Sequence, residues 1–357
     1  MRFVLTSRLK EGATLGEPLK STDGKILLNK GEVLSSSYIS KIQKFVEKGV
    51  IYIRESPEDT KLLSKVRFWL KNDLIDMITK SAYKMDSIQS SPRTFSAYKN
   101  ERDIIDEILA NDIIVSNMAD LFELDIYSFR HSVNTAAFSY IVGLSLKMYG
   151  QDLYDLLVGA LLHDIGKIFI RPSVLNKPGR LTEKEFEEMK QHTFLGCNLL
   201  GREYNLPEAW CIAALEHHER FDRSGYPLRK SGKETSLIGR IVGIADAYAA
   251  MTADRPFRSG MLASNAMEYI MGGAGTLFDP QIARLFSQSV MPFPVGTIVK
   301  LSNGSMGVVV QNYSDCCTRP KVRIGEEGDD SQIVSYIVDL KNDPELKNTT
   351  IVRKVTV

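Results

Sequence analysis

Several things are scarce in this chain of 357 residues, and each scarcity excludes something. No apolar run approaches the roughly 20 residues that a bilayer-spanning helix needs, so no membrane role is expected. Met1 to Lys10 carries Arg2, Arg8 and Lys10 without a long apolar core, so a secretory signal is not expected there. There are only four cysteines, Cys197, Cys211, Cys316 and Cys317, and their spacing is not that of a disulfide framework. A reducing cytoplasm fits that usage. The adjacent Cys316 and Cys317 read as a loop with two reduced thiols. Charge of one sign is missing too, with 45 Lys and Arg against 44 Asp and Glu. A protein that coats DNA or RNA shows a clear basic excess, so no nucleic-acid polymer is expected as partner. A small anionic ligand held by a few local cations stays open.

What remains is an ordinary globular composition, 43% hydrophobic, over a length that suits two or three domains. Residues 1–56 read as a small β-rich N-terminal module. Short apolar runs such as Lys25 to Leu28 alternate with Asp23-Gly24 and Lys30-Gly31 turns, followed by a helix from Ser37 to about Lys48 and a strand at Val50 to Ile53. Residues 57–100 read as a helical linker segment. Its stripe of Leu62, Leu63, Val66, Trp69, Leu70, Leu74, Met77 and Ile78 predicts a helix over 58–91, and Gln89 to Asn100 is expected to be a loop.

Residues 101–290 are strongly helical. Helices are expected over Ser132–Met148, from Asp152 toward His163, from a Thr182–Glu185 capping box to Leu200, from Pro207 to Glu219, over Ser236–Thr252, and over Gln281–Ser287 after Asp279-Pro280. Residues 291–357 change character. Pro294–Leu301 and Met306–Val310 read as strands joined by an Asn303-Gly304 hairpin, with further strands at Lys321–Ile324 and Ile333–Val338. This is a small C-terminal β-domain without a catalytic motif.

Histidine is also scarce, and its placement carries the chemistry. All five histidines, His131, His163, His192, His217 and His218, fall in the helical region. His192 shares a helix face with Phe186, Met189 and Gly196, which turns it inward, and Asp246 shares one with Val242. His163-Asp164 ends the apolar run Leu156 to Leu162. A lone buried carboxylate is costly, so such an Asp should be paired or bound to metal. Any one of these histidines alone reads as an ordinary core residue; five with two inward aspartates do not. Iron, manganese and zinc ions accept imidazole nitrogen and carboxylate oxygen together. Two such ions about 3.5–4 Å apart can clamp a phosphodiester, and one Asp, for which Asp164 is the natural candidate, can bridge them.

The ordered motifs make the sequence recognisable. They are His131-Ser132-Val133-Asn134; Leu161-Leu162-His163-Asp164-Ile165-Gly166-Lys167; Leu175-Asn176-Lys177-Pro178-Gly179; Leu181-Thr182 with Glu185; His192 with Gly196; His217-His218-Glu219 through Gly225-Tyr226-Pro227; and Ala245-Asp246-Ala247-Tyr248 through Arg255-Pro256-Phe257-Arg258. The chain resembles the HD-GYP family of bacterial cyclic di-GMP phosphodiesterases, a branch of the HD phosphohydrolases. The resemblance implies a mainly α protein, a helical HD-type bundle with small β-rich N- and C-terminal modules. It implies two divalent metal ions, iron or manganese, with nickel or zinc able to occupy the same ligands. His131, His163 and Asp246 would hold one, His192, His217 and His218 the other, and Asp164 would bridge.

The implied reaction is hydrolysis of the 3′-5′ phosphodiester of cyclic di-GMP to linear pGpG, and onward to GMP, by a metal-bridging hydroxide. Lys167 would bind the phosphate or steady the leaving oxygen. Arg255 would do similar phosphate work, with a helix-end ion pair as its competing reading. Asp222, Gly225, Tyr226 and Pro227 would form the substrate loop, Gly225 allowing close backbone approach and Tyr226 offering a face to guanine. An equally open reading is that Gly-Tyr-Pro only shapes that loop, and that Asp222 orders it. Glu219 is expected to orient an imidazole.

Three positions depart from the family pattern. Arg223 stands where a glycine is usual, Ala249 where a second Asp is usual, and Tyr127 where some members carry a Glu for a third ion. None is a predicted ligand of the two-ion site. Two alternatives stay open: a phosphodiesterase for another cyclic dinucleotide, and a weakly active or inactive cyclic-dinucleotide receptor. The cyclic dinucleotide is the expected ligand, with room for a homodimer or a diguanylate-cyclase-type protein partner.

Overall fold

Apolar periodicity changes twice along the chain, and the architecture changes with it. A computed structural model describes residues 2–6, 9–21, 24–45, 50–54, 56–82, 94–254, 259–327 and 333–355. In the N-terminal part, β1 (Arg2–Leu5) pairs antiparallel with β4 (Val50–Ile53), and β2 (Leu19–Lys20) with β3 (Ile26–Leu28). The helix α1 (Ser36–Phe45) closes this unit over a cluster that includes Val4, Leu15, Leu34, Ile42 and Ile51.

The helical region opens with α2 (Pro57–Ala82), α3 (Thr94–Ala110) and α4 (Asp112–Leu124). The expected end of α2, beyond Ala82, lies outside the described residues. The loop expected up to Asn100 is replaced from Thr94 onward by α3, whose Ile104, Ile105 and Ile108 are buried. Leu63, Val66, Leu70 and Leu74 of α2 join the same apolar cluster as the helices that follow. Next come α5 (Ile126–Ser145), α6 (Gly150–Leu162), a 3-10 turn (Ile165–Phe169), α7 (Pro172–Leu175), α8 (Glu183–Asn198), a π-helical turn (Leu199–Glu203), α9 (Glu208–Glu216), α10 (Leu237–Thr252), α11 (Ala263–Gly272) and α12 (Pro280–Ser289). Starts are set by side chains. Asp125 accepts from the amides of Tyr127 and Ser128, Thr182 and Glu185 form the expected capping box, and Asp279 accepts from Gln281 and Ile282. Among the described residues, no helix is long and apolar enough to cross a membrane.

The C-terminal part is one antiparallel sheet of β5 (Ile298–Leu301), β6 (Met306–Gln311), β7 (Lys321–Glu327), β8 (Ile333–Asp339) and β9 (Ile351–Val355), in the order β8-β7-β6-β5-β9. Gly304, at φ 95°, makes the β5–β6 turn where the Asn-Gly pair predicted it. The strand β9 is not foreseen from the sequence. Ile351 is buried but Val352, Arg353 and Lys354 are all exposed, so this edge strand lacks the alternation that marks a half-buried one.

Two glycines let helices approach one another without side chains between them. A Cβ on Gly166, in the 3-10 turn, would lie 1.9 Å from the carbonyl oxygen of His192 and 2.5 Å from the amide of Gly196. A Cβ on Gly243, in α10, would lie 2.7 Å from the carbonyl oxygen of His217. Both obstacles are backbone, so neither can move aside cheaply. We predict that Gly166→Ala destabilises the protein by about 3 kcal/mol, the upper end of overpacking costs, in denaturant titration. Gly272, where an added Cβ meets nothing within 4 Å, is the control. Gly272→Ala should be neutral or stabilising by up to about 1 kcal/mol.

Candidate metal centre

Five segments deliver the candidate ligands to one interior. The helix α5 carries His131, the end of α6 carries His163-Asp164, α8 carries His192, the end of α9 carries His217-His218, and α10 carries Asp246. His131, His163, Asp164, His192, His217 and Asp246 are all buried, and His218 is half-buried. The potential ligand atoms form two trios, His131 with His163 and Asp164, and His192 with His217 and His218, each within 4.8 Å.

Asp164 faces both trios. Its Oδ2 lies 3.3 Å from His163 Nε2 and 3.8 Å from His131 Nε2, while its Oδ1 lies 3.5 Å from His192 Nε2 and 3.8 Å from His217 Nε2. Asp246 spans them as well. Its Oδ1 is 2.8 Å from His131 Nε2 and 3.7 Å from His163 Nε2, and its Oδ2 is 3.8 Å from His218 Nδ1. Three imidazoles are oriented from behind by backbone. His163 Nδ1 lies 2.7 Å from the carbonyl of Ala160, His192 Nδ1 2.6 Å from that of Met189, and His217 Nδ1 3.1 Å from that of Ala213. A neutral imidazole donating there, as His192 and His217 do, turns an Nε2 lone pair to the centre.

The electrostatics suit a cation. Burial keeps His192 and His217 uncharged, pulling them down to about 4 and about 3, and it holds His218 well below its ordinary value. Burial also opposes charge on His163, but Asp164 and Asp246 overcome it and raise this imidazole to about 10. Burial would lift both carboxyls. Lys167 and His163 hold Asp164 well below the carboxylate range, and His131 and His163 do the same for Asp246. Among the described residues, His163 Nε2 and Asp164 Oδ1 are buried without a hydrogen-bond partner, which is costly unless something else satisfies them. Five imidazoles and two carboxylates converging on such orphaned atoms fit divalent cations.

Around the centre, Lys167 reaches Asp164 Oδ2 from one turn away and stays partly exposed. Tyr127 stacks on His131, with ring centroids 5.9 Å apart and planes 6° apart. Tyr226 lies against His218 at 4.6 Å, and Lys190 stands 5.9 Å over the Tyr226 ring. Arg255 lies outside the described residues.

The loop after His218 packs closely against its own backbone. A Cβ on Gly225 would lie 2.3 Å from the amide of Arg220 and 2.5 Å from the carbonyl oxygen of His218, so this glycine permits the chain to approach itself. Asp222 is exposed and accepts from the amide of Ser224 at 2.9 Å. Pro227 follows a cis peptide bond. Glu219 does not orient an imidazole. Its carboxylate accepts from the amides of Leu228 (2.6 Å) and Lys230 (3.0 Å), since the loop folds back and supplies donors closer than any ring. Arg223 sits at φ 71°, a conformation that glycine adopts freely.

Sequence reasoning missed Glu216, which is buried, pairs with Lys230 and accepts from the amide of Ser236 at 2.7 Å. An acid closing the apolar run Trp210 to Leu215 was the available signal.

The HD domain family matches residues 109–282, and a KOW domain associated with HD domains matches 298–356. The chain is 33% identical over 226 residues to the cyclic di-GMP phosphodiesterase PA4108 of Pseudomonas aeruginosa, covering 62% of this chain and 54% of that protein. It is 31% identical over 253 residues to a cyclic di-GMP phosphodiesterase of Thermotoga maritima, covering 69% of this chain and 67% of that one. It is 33% identical over 157 residues to the 3′3′-cGAMP-specific phosphodiesterase 3 of Vibrio cholerae, covering 43% of this chain and 34% of the relative. The chain thus spans about half the length of the Pseudomonas relative. With the HD match lying over the helices that carry every histidine, and with two thirds of the Thermotoga protein aligned, the chain belongs to the HD-GYP family.

Proposed function

We propose that this protein is a metal-dependent phosphodiesterase that opens cyclic di-GMP. The observation that carries the reading is the carboxylate of Asp164, with one oxygen toward each trio. In this reading, residues 101–290 form the catalytic unit, with 1–56, 57–100 and 291–357 around it. Two divalent ions, iron or manganese, would be held by His131, His163 and Asp246 and by His192, His217 and His218, with Asp164 shared by both sets; nickel or zinc would fit the same donors. When bound, the ions supply Lewis acidity toward the phosphate and make a water acidic enough to attack near neutral pH.

The protein's own groups do the rest. The backbone carbonyls behind His163, His192 and His217 fix the rings before substrate arrives. Lys167 holds an ammonium at the partly exposed edge of the centre, where negative charge gathers on the phosphate and the departing 3′-oxygen. Tyr226, laid against His218, puts an aromatic face beside the same edge, where a guanine can stack. Asp222, Gly225 and Pro227 act through the shape of that loop. The product is linear pGpG, and a second cleavage of the same bond type gives GMP. A mixed guanine–adenine ring is a second reading of the substrate, favoured by the likeness to a Vibrio cholerae enzyme named for 3′3′-cGAMP.

The test uses the full chain, purified anaerobically and loaded with manganese or ferrous iron, with linear product followed by chromatography. We expect turnover with cyclic di-GMP and none above background for the His163→Ala, Asp164→Ala double variant. Tight binding without turnover under both metals would replace this reading with that of a receptor. Lys167→Ala should lower kcat about 100-fold, the size of losing one donor to developing negative charge, while manganese still binds. In thermal melts without substrate, manganese at about 100 times its Kd should add about 2.7 kcal/mol of stability to the native chain. The same addition should leave the double variant unshifted if these residues hold the ions.

A further inference from the structure

The helix α8, the π-helical turn and α9 form a hairpin whose arms carry His192 on one side and His217 with His218 on the other. Two of the four cysteines lie in its seam. Cys197 follows Gly196, whose Cβ position meets the Ala214 side chain at 3.4 Å, and Cys211 lies one helical turn before Ala214. A Cβ on Gly201 would stand 3.0 Å from Cys211 Sγ, so the connecting turn passes directly over that thiol. The two thiols stand across the seam near enough to shift one another's ionisation, Cys211 Sγ–H donates to the carbonyl of Pro207 at 3.5 Å, and both are free thiols. Cys197 is half-buried and Cys211 is buried.

We propose that Cys197 and Cys211 form a peroxide-reactive dithiol site whose disulfide staples the hairpin that carries His192, His217 and His218. The two thiols differ in the way such chemistry requires. The neighbouring Cys211 thiol, with Arg202 nearby, lowers Cys197 to about 7, and the neighbouring Cys197 together with burial raises Cys211. Cys197 is therefore the more accessible thiol and the one with substantial thiolate, while its partner stands across the seam. The Cys197 thiolate attacks one oxygen of hydrogen peroxide. The O–O bond breaks, and the departing hydroxide takes a proton to leave as water. The Cys211 sulfur then attacks the Cys197 sulfenic acid, the S–O bond breaks, and a second water leaves with the Cys211 proton. Two thiols and one peroxide give one disulfide and two waters. The bond closes a short loop across the π-helical turn, so it restrains how far α8 can move against α9.

The experiment takes the reduced, manganese-loaded full chain, treats it with a few equivalents of hydrogen peroxide, alkylates the remaining thiols and maps the peptides by mass spectrometry. A linked Cys197–Cys211 peptide pair, lighter by two hydrogens and lost on reduction with dithiothreitol, is the expected product. Cys316 and Cys317 serve as internal references for non-selective oxidation. Cys211→Ser should abolish the link and leave Cys197 as sulfenic or further oxidised acid. Hydrogen exchange of the α8 and α9 amides should slow at least tenfold in the oxidised native chain and be unchanged by peroxide in Cys197→Ser. Recovery of both cysteines alkylated, or a link that leaves exchange unchanged, overturns the proposal. Neither readout requires turnover, so the outcome is separable from that of the phosphodiesterase assay.

Discussion

Asp164 and Asp246 are carboxylates in an apolar interior, and the rest of the molecule is arranged around that cost. An isolated ionised carboxylate in such a place is prohibitively unstable. Here both are surrounded by imidazole edges, and Asp164 has the ammonium of Lys167 as well. The arrangement is only partly self-sufficient. Three of the imidazoles are neutral at ordinary pH, and buried nitrogen and oxygen atoms are left without hydrogen bonds. Under the proposed function, such a site would trade stability of the bare protein for affinity toward multiply charged cations. The large apolar cluster from Leu63 to Cys317 supplies the burial that offsets it.

Helix geometry is subordinate to the same constraint. Rings on four helices can meet only if their backbones come unusually near one another. Gly166 against His192 and Gly243 against His217 remove the side chains that would hold them apart. Gly159, facing Ala213 at 2.8 Å, extends this to α6 and α9. The motif residues that touch no ligand are therefore part of the centre's dimensions.

The convergence of the histidines with Asp164 and Asp246 and the helical class were legible because few residue types suit that chemistry. Inward position follows from helical periodicity, so His192 and Asp246 could be assigned before any coordinates. The capping box at Thr182 and the helix start at Asp279 were legible for the same local reason. What escaped depends on chain returning to chain. Glu219 has the appearance of a neighbour to histidines in sequence, but its partners, Leu228 and Lys230, come from a fold-back that no local pattern encodes. The strand β9 exists because β5 offers it an edge, and Glu216 matters because Ser236 arrives beside it.

The clasp of Glu219 has a consequence for recognition. Its two oxygens tie the end of the loop to its beginning, and the amides of Phe221 and Asp222 tie the loop to the carbonyls of Leu277 and Thr276. The platform bearing Tyr226 is thus preorganised by intramolecular bonds and not assembled by its guest. A flat aromatic ligand landing there surrenders its own translational freedom but does not also have to freeze a wandering loop. Under the proposed function, affinity and selectivity at that edge would depend on how well a rigid ring matches a rigid shelf. That favours cyclic ligands, whose conformational freedom has already been spent in closing the macrocycle.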